Sequence, residues 1–215
     1  MLEERIDELK EKLLFMASLV EQMIGKSTES LVERDEEPAR QVIEVDEPKV
    51  NKLEIEIDEM SISILALFQP RASHLRLVTM MMKINNDLER LGDHAVNIAE
   101  RAITLIAEPP VKPLIDIPRM ADIAVQMVKD SLNSFTNSYS NLAADVRARD
   151  ELVDGLRDQI TRELITYMIS DPSTIEQALE LILIARDLER IADLATNIAE
   201  DVIFAVKGEN VKHIW

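Results

Sequence analysis

The sequence predicts an all-α protein made of two tandem, similar three-helix bundles with six long helices. The 215 residues include only 4 glycines and 3% aromatic residues, which is too few for the turns and strands of a β protein. Apolar residues recur at three- and four-residue spacing through long stretches, as they do on one face of a helix. A motif of fourteen residues also occurs twice, which indicates a duplicated structural unit.

The first half of the chain divides into three predicted helices. The first spans about Leu2 to Glu33 and carries its apolar residues at helical spacing. A break and restart follow at Asp35–Pro38, and Asp46 is predicted to cap the second helix, which continues to about Phe68. The sequence Gln69-Pro70 ends that helix, and the third helix is predicted from roughly Ala72 to Ala107.

The second half begins after a proline-rich linker. Residues 108–113 read Glu-Pro-Pro-Val-Lys-Pro, and prolines exclude a helix because they remove amide donors and clash with the preceding turn. A fourth helix is predicted from Asp116 to about Val146, a fifth from about Arg149 to Ile169, and a sixth from about Thr174 to Val206. Gly208 fits a helix stop, and the tail to Trp215 is predicted to be short and loosely held. The predicted domains are a first bundle at 1–108, a linker at 109–117 and a second bundle at 118–215.

The charge and composition exclude several classes of protein. Lys and Arg total 24 against 41 Asp and Glu, so the net charge is -17, which repels nucleic acid and anionic lipid headgroups. Cysteine is absent, so neither disulfides nor thiolate metal sites can form. The acidic N-terminus is unlike a signal peptide, and no apolar run reaches the ~18 residues of a membrane span. We therefore expect a cytoplasmic chain with no nucleic-acid partner and no direct membrane insertion.

The repeated motif is the strongest signal in the sequence. Residues Asp87–Glu100 and Asp187–Glu200 are identical at ten of fourteen positions. Matching segments also precede the second helix of each half, Asp46–Leu53 in one and Arg149–Leu156 in the other. Each half is therefore predicted to be one copy of the same three-helix unit.

Each copy of the motif separates into two helical faces. The apolar face is predicted to be buried; it comprises Leu88, Leu91, Ala95, Ile98 and Ala102, and in the second copy Leu188, Ile191, Ala195, Ile198 and Val202. The opposite face is predicted to point outward; it comprises Glu89, Asp93, Asn97 and Glu100, and in the second copy Glu189, Asp193, Asn197 and Glu200.

The outward face supports a metal-site hypothesis. Residues four apart are neighbours on a helix, so Glu89 and Asp93 place two like charges one turn apart. The preceding helices offer a similar pair, Glu47 with Asn51 in the first half and Asp150 with Asp154 in the second. If the second and third helices are antiparallel neighbours, four oxygen-bearing side chains converge in each half, which suits Mg²⁺, Mn²⁺ or iron.

The alternative is an ordinary solvated helix face, and the duplication of the pattern leaves both interpretations open. Arg90 and Arg190 have a structural alternative of their own, pairing at three-residue spacing with Asp87 or Asp93, and with Asp187 or Asp193.

Other residues and motifs give weaker evidence for a functional site. His94 lies beside the acidic face, but its counterpart is Leu194, which favours a surface or packing histidine over a ligand. The Glu-x-x-His motifs of ferritin-like di-iron proteins are missing, and the run Met80–Met82 favours core packing. No P-loop, dinucleotide-binding glycine motif or nucleophile elbow is present, so we predict a protein that is not an enzyme.

The motifs Leu88–Glu100 and Leu188–Glu200 resemble the twin signatures of the PhoU family, and the segments Val42–Asp58 and Pro70–Val78 resemble it as well. The resemblance covers essentially the whole chain. It implies a negative regulator of phosphate uptake and phosphate-starvation signalling, which acts as an adaptor on the ATPase subunit of the phosphate ABC transporter and on a sensor histidine kinase. It also implies a homodimer, in the cytoplasm and peripherally associated with a membrane transporter complex.

The resemblance also implies a ligand set, because some family members carry metal ions or iron clusters at Glu/Asp-x-x-x-Asp pairs. The candidate ions are iron, Mn²⁺, Mg²⁺ and Zn²⁺. In the first half asparagine replaces the second carboxylate, so we expect that site to be the weaker one. The motif carries over to Glu89, Asp93, Glu189, Asp193, Asp150, Asp154, Glu47 and Asn51, with Asn97 and Asn197 as supporting oxygen donors.

Two other functions remain open at this point. One is a metal-storage or metal-dependent oxidase bundle, and the other is a purely structural helical protein.

Overall fold

The computed structural model of the chain describes residues 1–137 and 140–207, and these residues form helices and connecting segments without a strand. Six helices are long and a seventh is short. They are α1 (Leu2–Glu33), α2 (Glu36–Gln41), α3 (Glu47–Phe68), α4 (Ser73–Ile106), α5 (Asp116–Asn137), α6 (Ser140–Ser170) and α7 (Ile175–Lys207). A π-helical turn at Val42–Asp46 joins α2 to α3, and a 3₁₀ turn at Pro172–Thr174 precedes α7.

The long helices pack as two groups of three. Helices α1, α3 and α4 contact one another, as do α5, α6 and α7, and the two groups meet where α4 packs on α7 and α1 on α5. Helices α4 and α7 run antiparallel, because Lys83 pairs with Asp201 at 3.3 Å and Arg101 pairs with Glu180 at 2.7 Å. The predicted all-α fold of two similar three-helix bundles is confirmed, while the proposed division at 108 and 118 stays a prediction.

The core follows the predicted apolar face of the repeat. All ten residues of that face are buried, and the buried apolar side chains of both halves form one continuous cluster. The boundaries of α1, α3 and α4 agree with the sequence to within a residue. Asp35 caps α2 by accepting a hydrogen bond from the amide of Glu37 at 3.0 Å.

The predicted cap at Asp46 is wrong. Asp46 has helical backbone angles (φ -84°, ψ -43°) and makes no side-chain capping bond. Its carboxylate is buried and accepts a hydrogen bond from Lys26 Nζ on α1 at 2.6 Å. The chain needs no cap here because the π-helical turn carries the helical path into α3, and Pro48 sits in the first turn, where a missing amide costs nothing.

The predicted boundary between the fourth and fifth helices is also wrong. Helix α5 ends at Asn137 instead of Val146, and α6 begins at Ser140 instead of Arg149. Arg149 looked like the start of a helix by analogy with Asp46, but it lies inside α6. Its guanidinium pairs with Asp130 at 2.6 Å and with Asp145, one turn earlier, at 3.2 Å. The predicted stop at Gly208 and the tail to Trp215 lie outside the described residues.

Candidate functional site

The structure brings the predicted first-half residues together with one more carboxylate; we call Glu47, Asn51, Glu54, Glu89 and Asp93 the first acidic cluster. Burial raises the pKa of Glu89, and the negative charges of Asp93, Glu54 and Glu47 raise it further against the opposing effect of Arg90. Asn51 Nδ2 donates to Glu47 Oε1 at 2.5 Å. Carboxylates from α3 and α4 therefore share one surface, as the antiparallel arrangement predicts.

Glu54 was missed by the sequence reasoning. It follows Asn51 by three residues and Glu47 by seven, so the three lie on one face of α3. That spacing is the signal that could have found it. The buried Asn85 of α4 holds this part of α3 in place. Its Nδ2 donates to the backbone carbonyl of Glu54 at 3.0 Å and to Asp58 Oδ1 at 3.1 Å.

The second acidic cluster comprises Asp150 and Asp154 on α6 with Glu189 and Asp193 on α7. Asp150 is half-buried, and its pKa is raised to about 6. Burial is the largest cause, followed by the negative charges of Asp193, Asp154 and Glu189, while a 3.5 Å hydrogen bond from Thr196 opposes the shift. All four predicted carboxylates of the second half therefore act on one another.

An arginine distinguishes the second cluster from the first. Arg157 occupies the position that Glu54 has in the first half, and its Nη2 lies 3.6 Å from Glu189 Oε1. Burial raises the pKa of Glu189, and the positive charge of Arg157 lowers it. Each cluster thus holds four carboxylates, but the second also holds a guanidinium. Glu54 adds a carboxylate beside Asn51, and the expectation that the first site is the weaker one stays a prediction.

The motif arginines take the structural pairings that the spacing allowed. Arg90 lies 3.9 Å from Asp87, and Arg190 lies 2.9 Å from Asp193. Both pairs join residues three apart on one helix and involve a half-exposed guanidinium, so each adds about 0.3 kcal/mol to helix stability. Arg190 also places a second positive charge at the rim of the second acidic cluster.

The two asparagines predicted as supporting donors lie at the contact between the halves. Asn97 Nδ2 is 3.4 Å from Asp187 Oδ1 on α7. Asn197 lines a shallow cleft between α4 and α7 together with Asp87 and Asp201. These placements join the asparagines to carboxylates across the α4–α7 contact rather than to the acidic clusters.

His94 also serves that contact. Its Nδ1 lies 2.8 Å from Asp187 Oδ1, and Arg101 Nε lies 3.5 Å from the other oxygen of the same carboxylate. The imidazole is mostly buried, with 20% of the side chain exposed. This environment is that of a packing histidine, and Leu194 fills the equivalent position with an apolar side chain.

The donor set of the clusters fits a hard cation. It offers only carboxylate and amide oxygens, the ligands that Mg²⁺ and Mn²⁺ prefer, and burial together with the mutual repulsion of its charges raises the pKa of Glu89 and Asp150. Among the residues that the structure describes, however, no three histidine, aspartate or glutamate side chains stand close enough together to hold a metal ion. Ligation would require side-chain rotations that draw the carboxylates inward, so the ten predicted ligands stay a prediction.

Comparison with known proteins extends the duplication to whole domains. The model of the PhoU domain matches this chain twice, at residues 13–102 and 117–202. The PhoU homologue of Aquifex aeolicus, a "phosphate-specific transport system accessory protein", is 45% identical over 97% of this chain and 94% of its own. A second homologue, from Thermotoga maritima, is 38% identical over 99% of this chain and 90% of its own.

Solved structures agree. The crystal structure of PhoU from Pseudomonas aeruginosa superposes with a TM-score of 0.94 at 37% identity, covering 97% of this chain and all of that one. The phosphate transport system regulatory protein PhoU from Streptococcus pneumoniae gives a TM-score of 0.89 at 26% identity, over 99% of this chain. Fold and site together define a duplicated helical-bundle protein with one acidic cluster in each half. The chain belongs to the PhoU family.

Proposed function

We propose that this protein is a negative regulator of phosphate uptake and phosphate-starvation signalling. The observation that carries the proposal is the match of both halves to the PhoU domain, together with relatives of nearly the same length that are named as accessory proteins of phosphate-specific transport. The coarser part of this function, a role accessory to phosphate transport, follows from the family. The finer part is that it restrains the system when phosphate is plentiful.

We propose that the protein works by docking and not by catalysis. Its partners are the ATPase subunit of the phosphate ABC transporter and a sensor histidine kinase, reached from the cytoplasm. No helix in the described part of the chain is long and apolar enough to cross a membrane. The net charge of -17 favours basic patches on those partners, and a cation at the acidic clusters would reduce the local negative charge and so tune the contact.

Gene deletion tests the regulatory role. Phosphate uptake and alkaline phosphatase expression are measured in phosphate-replete cells of the host, with and without the gene. We expect both to be constitutively high in the deletion strain and restored by the intact gene. Normal values, in a strain shown by its genome to hold no second PhoU gene, would contradict the proposal.

The acidic clusters need their own test, because regulation and metal binding are separable. The double substitution Glu189→Ala with Asp193→Ala should keep the helix content while it changes bound metal or partner affinity. Metal content is measured by mass spectrometry after purification without chelators, and the exposed pair Glu3→Ala with Glu4→Ala is the matched control. If metal content and affinity both stay at the wild-type level, the cluster has no such role.

A metal-storage or oxidase function predicts different results from the same material. It requires stoichiometric iron and measurable ferroxidase turnover, which a docking protein does not. The proposed homodimer is tested by analytical ultracentrifugation over a range of protein concentrations, in which a monomer at all concentrations would exclude it.

A further inference from the structure

The turn between α3 and α4 has the opposite charge character to the rest of the protein. The stretch from Met60 to Asn86 contains no Asp or Glu, although the chain as a whole holds 41. The same stretch carries Arg71, His74 and Arg76 around the turn. In a chain of net charge -17, this segment is a local basic surface.

The two arginines at this turn have no partner. Arg71 and Arg76 are exposed, and neither guanidinium forms a hydrogen bond or an ion pair with another described residue. Several other arginines pair closely with carboxylates, as Arg101 does with Glu180 at 2.7 Å, whereas Arg119 and Arg186 share the unpaired, exposed state of the two at the turn. Two unpaired guanidinium groups, each with five donors, are thus available to a carboxylate-bearing partner.

Large apolar side chains flank the arginines. Leu67, at the end of α3, is 76% exposed, and Leu75, in the first turn of α4, is 42% exposed. Exposed leucines beside arginine are common in protein interfaces, where apolar contacts supply affinity and charges supply orientation. We call Leu67, Arg71, Leu75 and Arg76 the turn surface.

The backbone of this turn is also costly. Ala72 has φ 50° and ψ -115°, and Gln69 has φ 46°, conformations unfavourable for residues that carry a Cβ. The equivalent turn in the second half avoids this cost, because Asp171 caps it by accepting from the amide of Ser173 at 3.0 Å. The fold therefore does not require strain at this point, and the first-half turn retains it together with its basic, apolar surface.

We propose that the turn surface docks an acidic peptide segment of a partner protein that also carries apolar side chains. Charge complementarity favours a narrow segment over a lipid bilayer. Leu67 lines one cleft with Glu56 and Glu59, so a flat anionic membrane that covered the turn would also meet those carboxylates. A segment confined to the turn surface meets the arginines at contact distance, well within the ~8 Å screening length. The inference rests on the proposed function as a docking protein and specifies one of its contacts.

Photocrosslinking identifies the occupant. The full chain carrying p-benzoylphenylalanine in place of Leu75 is irradiated in phosphate-replete cells, and the attached peptide is sequenced by mass spectrometry. The same group in place of Ile169, which is 77% exposed beside the α6–α7 turn, is the control. We expect position 75 to capture one peptide with several Asp or Glu residues and at least one large apolar residue, and position 169 not to capture it.

The captured peptide is then synthesised and titrated against purified variants. Charge reversal at Arg71→Glu with Arg76→Glu should weaken its binding by about tenfold or more. The control Arg119→Glu with Arg186→Glu makes the same change at two exposed, unpaired arginines and should leave binding within about twofold. If both variants lose binding affinity equally, the effect comes from net charge and not from the turn surface, and the inference is overturned.

Other results overturn it directly. Attachment to phospholipid, to a second copy of this chain or to a peptide without acidic residues would each do so, as would the absence of any adduct at position 75. These failures are distinguishable from failure of the proposed function. If the deletion phenotype is present and Arg71→Glu with Arg76→Glu complements it fully, the regulatory role stands and the turn surface does not serve it.

Discussion

Replacing Asp150 by asparagine removes one of the repelling charges of the second acidic cluster. The folded state holds the pKa of this carboxyl at about 6, against its usual value of 3.8. The folded state therefore binds more protons than the unfolded state between about pH 4 and 6, and stability falls as the pH rises through that window. Below about pH 4 the carboxyl is protonated in both states and the cost vanishes.

The size of the expected stability change follows from that shift in the pKa of Asp150. A difference of about two pKa units corresponds to about 3 kcal/mol in the free energy of unfolding at pH 7.5. Asp150 is only half-buried, so solvent screens the repulsion, and we reduce the expected effect to about 1 kcal/mol. Asparagine keeps the shape of the side chain and an oxygen that can accept from Thr196, so Asp150→Asn should stabilise the protein by that amount at pH 7.5.

Urea unfolding followed by circular dichroism measures the difference, in buffer containing a metal chelator. The gain should shrink at about pH 5, where the wild-type carboxyl is mostly protonated. Glu151→Gln removes the same charge from an exposed neighbour and is the control. A destabilised Asp150→Asn variant, or a gain that is equal at the two pH values, would refute the electrostatic argument. In the same buffer without the chelator, added Mn²⁺ should stabilise the wild type more than the Asp150→Asn variant if the cluster binds it.

Three further substitutions test the packing and the charges of the two halves. Gly92→Ala should stabilise by up to about 1 kcal/mol, since alanine favours helix and the new Cβ would meet Val50 at an ordinary 3.4 Å. Lys26→Asp should cost about 3 kcal/mol because it sets a second carboxylate against the buried Asp46, which keeps only its 3.5 Å contact with Lys49, and the double exchange with Asp46→Lys should recover part of that loss. Arg157→Glu should destabilise the second half more at pH 7.5 than at about pH 5, because it places a further negative charge beside Asp150, which is mostly protonated at the lower pH.

Thermal and urea unfolding measure all three, and each has its own contradicting result. A destabilised Gly92→Ala variant would mean that the contact with Val50 cannot relax. If the double exchange of Lys26 and Asp46 is no more stable than Lys26→Asp alone, the ion pair contributes through packing alone. For Arg157→Glu, the exposed Arg162→Glu is the control, and equal effects would assign the loss to net charge.

The fold was predictable because each level of the sequence agreed with the others. The apolar face of the repeat determined which side of α4 and α7 is buried, and the prolines after Ala107 ended the first half. The α5–α6 boundary was not predictable in the same way, since neither Gly nor Pro marks the chain from Asn137 to Arg149. Asp46 was misread because a cap and a buried ion-pair partner use the same residue type.

The candidate site was predictable as two sets of carboxylates but not in its details. Periodicity along one helix identified Glu89 and Asp93, and the repeat located their counterparts. The spacing of Glu54 from Glu47 and Asn51 places it on their face of α3, but only the packing of neighbouring helices shows that Glu54 acts on Glu89 and that Arg157 lies beside Glu189. The contact of His94 with Asp187 joins residues 93 positions apart across the two halves, and spacing within one repeat cannot predict it.

The ion pairs beside the two clusters are partly buried and have opposite polarity. Lys26 on α1 pairs with Asp46, whereas at the matching positions of the second half Asp130 on α5 pairs with Arg149, each at 2.6 Å. Exchange of helices between the halves would set Lys26 against Arg149 and Asp130 against Asp46, two partly buried contacts between like charges. The reversed polarity of the two pairs therefore favours the packing of α1 and α5 against the helices of their own halves over an exchange between the halves.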